Sequence, residues 1–347
     1  MEVKPTLVWV RRDLRLADHP ALHAAAARGG AVIPLYVWAP EEDGIWSAGS
    51  AAKWWLNRSL SSFDSSLQLL NSKLIIRRGP TLAALGSLAE ETGADSVFWQ
   101  RSYEPKSREL EQKIQQTLTD IGFVTKTFDS SGLFDIHAIM KDDGSPYKVF
   151  TAFWRKLQSL GHPQLPLPSP DNLQPPLVWP ASIDVEELRL LDSEQSMALF
   201  SKKWEPGEQG AVSVLNKFID HCLDYYSNQK DRPGRTGTSM LSPHLSFGEI
   251  SPRMLWKSIS EREQSEKDFG KFLSELGWKE FARHIMYHFP DTPIEPLHQE
   301  FRRFPWQSNQ AHLKAWQSGR TGYPIVDAGM RQLLSIGWLH NRVRMVV

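Results

Sequence analysis

Short apolar, β-branched runs alternate with amphipathic stretches through the first third of the chain, at 7–10, 32–37, 74–76, 97–99 and 124–128. A pattern that switches repeatedly between a period of two and a period near 3.6 predicts strands joined by helical crossovers. The expected architecture is a parallel, doubly wound α/β sheet of Rossmann type. The pattern breaks up after about Gly132, where Pro163, Pro166, Pro168, Pro170, Pro175, Pro176 and Pro180 follow one another closely. This reads as a connector of polyproline character crossing the surface, with one docked helical island at 147–156. From Pro206 onward the periodicity is helical, over 211–226, 251–262, 268–288, 310–318 and a last segment from 324. The expected division is an α/β domain at 1–131, a connector at 132–205 and an all-α domain at 206–347.

The last segment has the clearest two-faced pattern. Pro324 suits a first helical turn, where its missing N–H is not needed, and no later proline interrupts, so one continuous helix is expected from about Pro324 to the end. At about 100° per residue, Asn341, Arg342, Arg344, Met345 and Trp338 share a stripe, while Val343, Val346 and Val347 turn the other way. A merely charged stripe would be a wet surface. Trp and Met within it point to the wall of a cavity. The chain stops at Val347 without a Gly, Asn or Pro stop signal, so it is expected to be an inactive fragment lacking a partner for its valine face.

At 347 residues and 41% hydrophobic content, the chain is long enough for two or three domains with real cores. Lys+Arg and Asp+Glu both number 40, so a polyanion must be met by a local basic patch and not by net charge. The single cysteine, Cys222, excludes an internal disulfide and a Cys-rich zinc site, and no metal is expected. There is no secretory leader and no long apolar window, which predicts a soluble intracellular protein, cytoplasmic if bacterial, acting as a monomer. Fourteen Trp residues, several beside Arg, Asn or Glu, point to stacking or electron transfer.

Four segments carry candidate chemistry. The loop Arg11-Arg12-Asp13-Leu14-Arg15-Leu16-Ala17-Asp18 replaces the G-x-G-x-x-G of a dinucleotide cradle and reads as a salt-bridged loop at the sheet edge. Downstream, Gly237-Thr238-Ser239-Met240-Leu241-Ser242 is a polar turn whose N–H groups and hydroxyls could grip a diphosphate, although ordinary capping by Ser239 or Ser242 explains the same residues. Tyr226 and the run from Lys230 to Arg235 form an aromatic and basic cluster. Finally, Glu275, Trp278, Lys279 and Ala282 share a helix face. A carboxyl beside Trp in a partly dry cleft would have a raised pKa and could donate, whereas a Glu275–Lys279 surface pair would be worth only a few tenths of a kcal/mol.

Together these segments, with Trp306-Gln307-Ser308-Asn309, Thr321-Gly322-Tyr323-Pro324 and Gly337-Trp338-Leu339-His340-Asn341-Arg342, resemble the DNA photolyase and cryptochrome family along the whole chain. The resemblance implies an α/β antenna domain and a helical domain holding FAD. It places Tyr226, Thr238, Ser239, Met240, Leu241, Ser242, Glu275, Lys279, Asn341 and Arg344 at the flavin. Met240 and Lys279 stand where the family often has Arg, and Lys279 would weaken a bidentate fork. Glu275, Trp278, Asn341, Arg342 and Met345 are implied to line the pocket for a flipped pyrimidine dimer, photolyases being themselves a known base-flipping family. Arg232 joins the DNA-facing set, and Trp306 matches an outer electron-transfer Trp.

The implied activity is light-driven repair of cyclobutane pyrimidine dimers in UV-damaged DNA by reduced FAD, with Glu275, Asn341 and Trp306 as the catalytic set. The alternative is a cryptochrome photoreceptor that keeps the flavin and signals. Lys53-Trp54-Trp55-Leu56 and Phe304-Pro305-Trp306 look like the bacterial photolyases close to plant cryptochromes, whose antenna is a folate, methenyltetrahydrofolate, and Glu104 is its implied contact. An RNA-binding module has no stacking motif or net charge behind it.

Overall fold

The computed structural model describes residues 3–191, 198–262 and 266–347. Five strands, β1 (Thr6–Val10), β2 (Val32–Trp38), β3 (Ile75–Arg78), β4 (Ser96–Gln100) and β5 (Val124–Phe128), form one parallel sheet in the order β3-β2-β1-β4-β5. Register runs Thr6 against Val32 on one side and Thr6 against Ser96 on the other. Four helices, α1 (Pro20–Arg28), α2 (Ser50–Gln68), α3 (Thr81–Thr92) and α4 (Pro105–Asp120), make the crossovers. Every residue of β1 is buried because both faces are covered: Val8 and Val10 pack with Leu22, Leu60 and Phe63, and Leu7 and Trp9 pack with Leu85, Leu88 and Ile114. The strand order reverses between β1 and β4, so the loop after β1 stands at the switch point of the sheet, where doubly wound folds build their crevice.

The proline-rich connector does not simply cross the surface. Leu173, Leu188 and Leu190 are buried in the sheet's own core, and its backbone is stitched to the sheet by Val32 N–H to the Gln174 carbonyl (2.9 Å) and Asp18 N–H to the Leu167 carbonyl (2.8 Å). Apolar residues between the prolines dock it. Helix α5 (Phe150–Ser159) forms at the helical island and buries Phe153 and Leu157.

The helical part comprises α6 (Ala198–Lys203), α7 (Glu208–His221), α8 (Tyr226–Gln229), α9 (Ser242–Ser246), α10 (Pro252–Ser260), α11 (Glu266–His288), α12 (Gln310–Gln317), α13 (Pro324–Ile336) and α14 (Asn341–Val346). Its core joins Leu215 and Phe218 of α7, Leu255 and Ile259 of α10, and Phe272, Leu273 and Leu276 of α11. Gly277 lets α11 lie close on α5, since a Cβ there would fall 2.4 Å from the Trp154 ring.

The expected single terminal helix is two helices. Gly337 takes a left-handed conformation (φ 68°), its N–H closes on the Leu333 carbonyl at 2.8 Å, and the chain turns before His340 caps α14 through Nδ1. Trp338 therefore leaves the polar stripe and packs with Trp54, Trp55, Phe200, Trp204 and Met240. Nor does Val343 wait for an outside partner: it is buried against Gly329 of α13, where a Cβ would come within 2.5 Å of it.

The loop after β1 is a bolt between the two halves. The fully buried Asp18 carboxylate accepts from Arg253 Nε (3.0 Å), Arg253 Nη2 (2.6 Å) and the Ser251 hydroxyl. Arg15 donates to the Gly248 carbonyl (2.8 Å) and to Ser130 Oγ (2.6 Å), and Glu208 accepts from the N–H groups of Leu16 and Ala17. The salt-bridged reading of this loop holds, at the C-terminal edge of the central strand.

Candidate functional site

A chain of charges crosses the exposed side of the helical domain. Lys230, just past α8, donates from Nζ to Glu275 Oε1 of α11 at 2.8 Å. The neighbouring Asp231 lies 3.6 Å from the same ammonium and accepts from Arg342 Nε of α14 at 2.8 Å. Arg342 Nη1 reaches Met345 Sδ at 3.8 Å. Elements far apart in sequence are thus gathered at one place. The Arg342 hydrogen bond holds the Asp231 carboxyl below the usual carboxylate range. Tyr226 is buried against Phe218 and Phe272, and burial, with Glu275 and Asp231 nearby, pushes its phenol up.

Two expectations change here. Glu275 does not pair with Lys279, whose ammonium instead donates to the Ser131 carbonyl at 2.8 Å. Burial lowers the Lys279 pKa. And a local basic patch, which could draw on Lys230, Arg232, Arg235, Arg342 and Arg344, is partly neutralised: Lys230 and Arg342 are bound to carboxylates, while Arg232, Arg235 and Arg344 are exposed without an ion pair among the described residues.

The turn before α9 starts close against the end of α8, where a Cβ on Gly237 would fall 2.5 Å from Gln229 Cβ. Met240 adopts φ 55°, unusual for a residue with a side chain, and Leu241 follows in the right-handed region. Such a left-right pair turns successive N–H groups to one side and makes an anion cradle. Among the described residues no acceptor meets the N–H of Ser239 or Met240, and the Thr238 and Ser242 hydroxyls are unpaired. Ser239 Oγ accepts weakly from Leu241 N–H at 3.5 Å. Gln229 Oε1 and His340 Nε2 are also buried without a partner.

Other predicted residues lie apart. Trp278 is half exposed and stacks flat on Phe150 at 3.6 Å between ring centroids, one turn from Glu275. Asn341 is exposed in the first turn of α14. Trp306 is 82% exposed in a loop, its ring 4.6 Å from that of Phe304 between centroids, so it is not the packed loop Trp that its position between helices would also allow. Glu104 borders a cavity of about 450 Å³ at the crevice between sheet and helices, lined also by Trp9, Arg12, Tyr36, Gln100 and Arg101.

Two family models match the chain, DNA photolyase over residues 6–171 and the FAD binding domain of DNA photolyase over 272–347. Deoxyribodipyrimidine photo-lyase of Agrobacterium fabrum is 40% identical over 350 residues, covering 100% of this chain and 72% of that protein. The chain belongs to the DNA photolyase and cryptochrome family. Cryptochrome-2 of Arabidopsis thaliana is 36% identical over 360 residues, 99% of this chain and 58% of its own length. The crystal structure of a bacterial class III photolyase from Agrobacterium tumefaciens superposes with a TM-score of 0.95 at 39% identity, over 100% of this chain and 72% of that one. The chain thus spans about three quarters of the photolyase relatives and little more than half of the plant cryptochrome.

For a photolyase-family FAD the residues present fit. The unpaired N–H groups and hydroxyls at 238–242 suit a diphosphate, Arg344 has no ion pair among the described residues, and the orphaned Gln229 Oε1 can meet a polar ring or sugar. What the sequence reading missed is that Lys230 and Asp231 link α11 to α14; the alternating signs of Lys230, Asp231 and Arg232 were the available signal, but only the fold supplies their partners. It also missed the buried Glu249 carboxylate, which accepts from Trp55 Nε1 (2.9 Å), Ser59, Gly207 N–H and His244 and so fixes the base of α9. No three metal-ligating side chains come together, and no helix is long and apolar enough to cross a membrane, among the described residues.

Proposed function

We propose that this protein is a light-driven lyase that repairs cyclobutane pyrimidine dimers in UV-damaged DNA and works as a monomer. The observation that carries the reading is the linking of Glu275 on α11 to Arg342 and Met345 on α14 through Lys230 and Asp231, with Trp278 one turn from Glu275. Reduced FAD, when bound, supplies the electron that excitation makes available to the dimer and receives it back. Tyr226, Thr238, Ser239, the backbone of Met240 and Leu241, Ser242, Asn341 and Arg344 would hold that cofactor, whereas Lys279, tied to the Ser131 carbonyl, lines the crevice cavity instead.

The chain's own work is orientation. The Glu275 carboxylate, fixed by Lys230, offers an acceptor to a pyrimidine N–H. The Asn341 carboxamide offers both a donor and an acceptor to a carbonyl edge, and the Trp278 indole forms an apolar wall that excludes water. Arg232 and Arg235, exposed and without an ion pair among the described residues, add positive charge for phosphates. For light harvesting the reading takes the crevice cavity as the site of a folate antenna. Both amide atoms of Gln100 are buried there without a partner, as a pterin edge would require, and Glu104 is held at the rim by Arg12 at 3.0 Å.

The test is to illuminate the flavin-loaded protein with blue light on an oligonucleotide carrying one thymine dimer. Restored thymines that depend on light and on reduced flavin are expected. The second reading, a photoreceptor, is favoured by the 36% identity to a plant cryptochrome. A flavin that photoreduces normally while no dimer is split would select it.

A further inference from the structure

Asp231 is out of place on a surface that meets a polyanion. Two cations, Lys230 and Arg342, are held there by two carboxylates, Glu275 and Asp231, and Asp231 is the one that is itself nearly half exposed, at 45%. Its charge should repel DNA. Its geometry says what it is for. It accepts from Arg342 through Nε, at 2.8 Å, and not through either terminal nitrogen. An arginine held by Nε keeps Nη1 and Nη2 free as a pair, and here Nη1 has only the weak Met345 sulfur contact while Nη2 has no partner among the described residues. A free guanidinium samples many rotamers, and ordering it on a ligand costs about 0.5–1.5 kcal/mol. The bond to Asp231 sets that order beforehand, in a fork that matches two oxygens of a phosphate. Asp231 also stands 3.6 Å from the Lys230 ammonium that holds Glu275, so one carboxylate ties the phosphate-facing arginine to the group facing the base.

We propose that Asp231 is a positioning residue that pre-orients Arg342 for one backbone phosphate of the bound DNA, so that its removal weakens binding although it removes a negative charge. This deepens the repair reading and rests on it for the identity of the ligand. Simple electrostatics predicts the opposite sign, which is what makes the role testable.

The experiment measures affinity for a thymine-dimer duplex by fluorescence anisotropy at one fixed salt concentration. Asp231→Ala should weaken binding about two- to ten-fold, the cost of ordering one side chain. Asp231→Asn, which keeps an oxygen for Nε, should stay within about two-fold of wild type. In an Arg342→Ala background Asp231→Ala should weaken binding no further. Wild-type or tighter binding by Asp231→Ala, or an equal loss in the Arg342→Ala background, overturns the proposal. Should Asp231→Ala not fold, Arg342→Lys decides: it keeps the charge without the Nε anchor or the fork, and wild-type affinity for it would be equally fatal. Repair by the wild-type protein is scored separately. An intact affinity pattern without repair removes the photolyase reading and leaves the positioning role, whereas repair with a flat pattern does the reverse.

Discussion

Two sets of ion pairs hold helices of this protein together, and they are built on opposite terms. At the bolt, Asp18 is fully buried, receives two guanidinium hydrogens and a hydroxyl, and sits beside Arg15, which is itself bound to three backbone carbonyls, those of Ala17, Asp18 and Gly248, and to Ser130. Across the helical face, Asp231 and Arg342 are each about half exposed and joined by a single bond. The first set has already given up its water and gains nothing from a ligand. The second is still wet, so its bonds are nearly neutral for stability but are free to be completed by something else. Burial, more than the presence of charge, separates the pairs that hold the fold from those that stay open to a ligand.

The sharpest way to break this contrast is to cut both. Asp18→Ala strands Arg253 in a dry seam and should cost about 3–5 kcal/mol, whereas Asp231→Ala should cost less than about 1 kcal/mol. Urea denaturation of the two variants side by side checks it, and equal midpoints would show that the seam is not the load the burial implies. The next effect comes from the buried end of α11. His284 is fully buried, accepts the Tyr147 N–H on Nε2 at 3.0 Å, and burial, aided by the charge of His288, takes its imidazole down to about 4. Because the folded value lies below the unfolded one, the unfolded chain binds the proton first. This stability is complete above about pH 6.5 and is lost as pH falls toward 4, on the order of 3 kcal/mol. Unfolding free energy followed across that window should slope accordingly, and His284→Gln should flatten the slope.

The strands of the sheet were legible because each side of β1 had to be apolar to be covered, and a run such as Leu7 to Val10 leaves no other reading. The bolt was half legible: its charges were visible, but Arg253 lies 235 residues from Asp18 and no local rule pairs them. The terminal helices were misread because Gly337 inside a helical period looks tolerable until its left-handed turn is seen. At the site, the residue types were all in the sequence. What could not be read was that Lys230 would take Glu275 from Lys279, since a helix-local pair and a tertiary pair compete for the same carboxylate and only packing decides.

Glu275 tests the wet side of the comparison directly. Glu275→Gln keeps the shape and one acceptor but loses the ionic bond to Lys230, at 34% side-chain exposure, so stability should change by no more than about 1 kcal/mol. Repair per absorbed photon should fall about ten-fold, equivalent to about 1.4 kcal/mol of lost orientation, while affinity for dimer-containing DNA stays near wild type. Quantum yield and anisotropy measured on the same preparation separate the two. Wild-type yield would remove Glu275 from the working residues.

The smallest expected effect on stability belongs to the most exposed aromatic of the site set. Trp306 stands 82% in solvent, and its one aromatic neighbour, Phe304, is itself 55% exposed, so Trp306→Phe removes little buried surface and should change unfolding free energy by less than about 0.5 kcal/mol. A core Trp could not be treated this way: Trp9 and Trp99, packed at 5.9 Å and nearly inaccessible, would leave a cavity costing about 3–5 kcal/mol if truncated to Ala. If Trp306 is the outer electron donor that the family resemblance implies, its ionisation potential and not its packing is the property that the substitution changes. Light-driven reduction of oxidised FAD by Trp306→Phe should therefore slow several-fold in the presence of an external reductant, since Phe is far harder to oxidise. Repair by chemically reduced enzyme should be untouched, because that reaction does not need an electron from the surface. Photoreduction at the wild-type rate would mean that another surface aromatic carries the electron, and Trp306 would then be only an exposed indole.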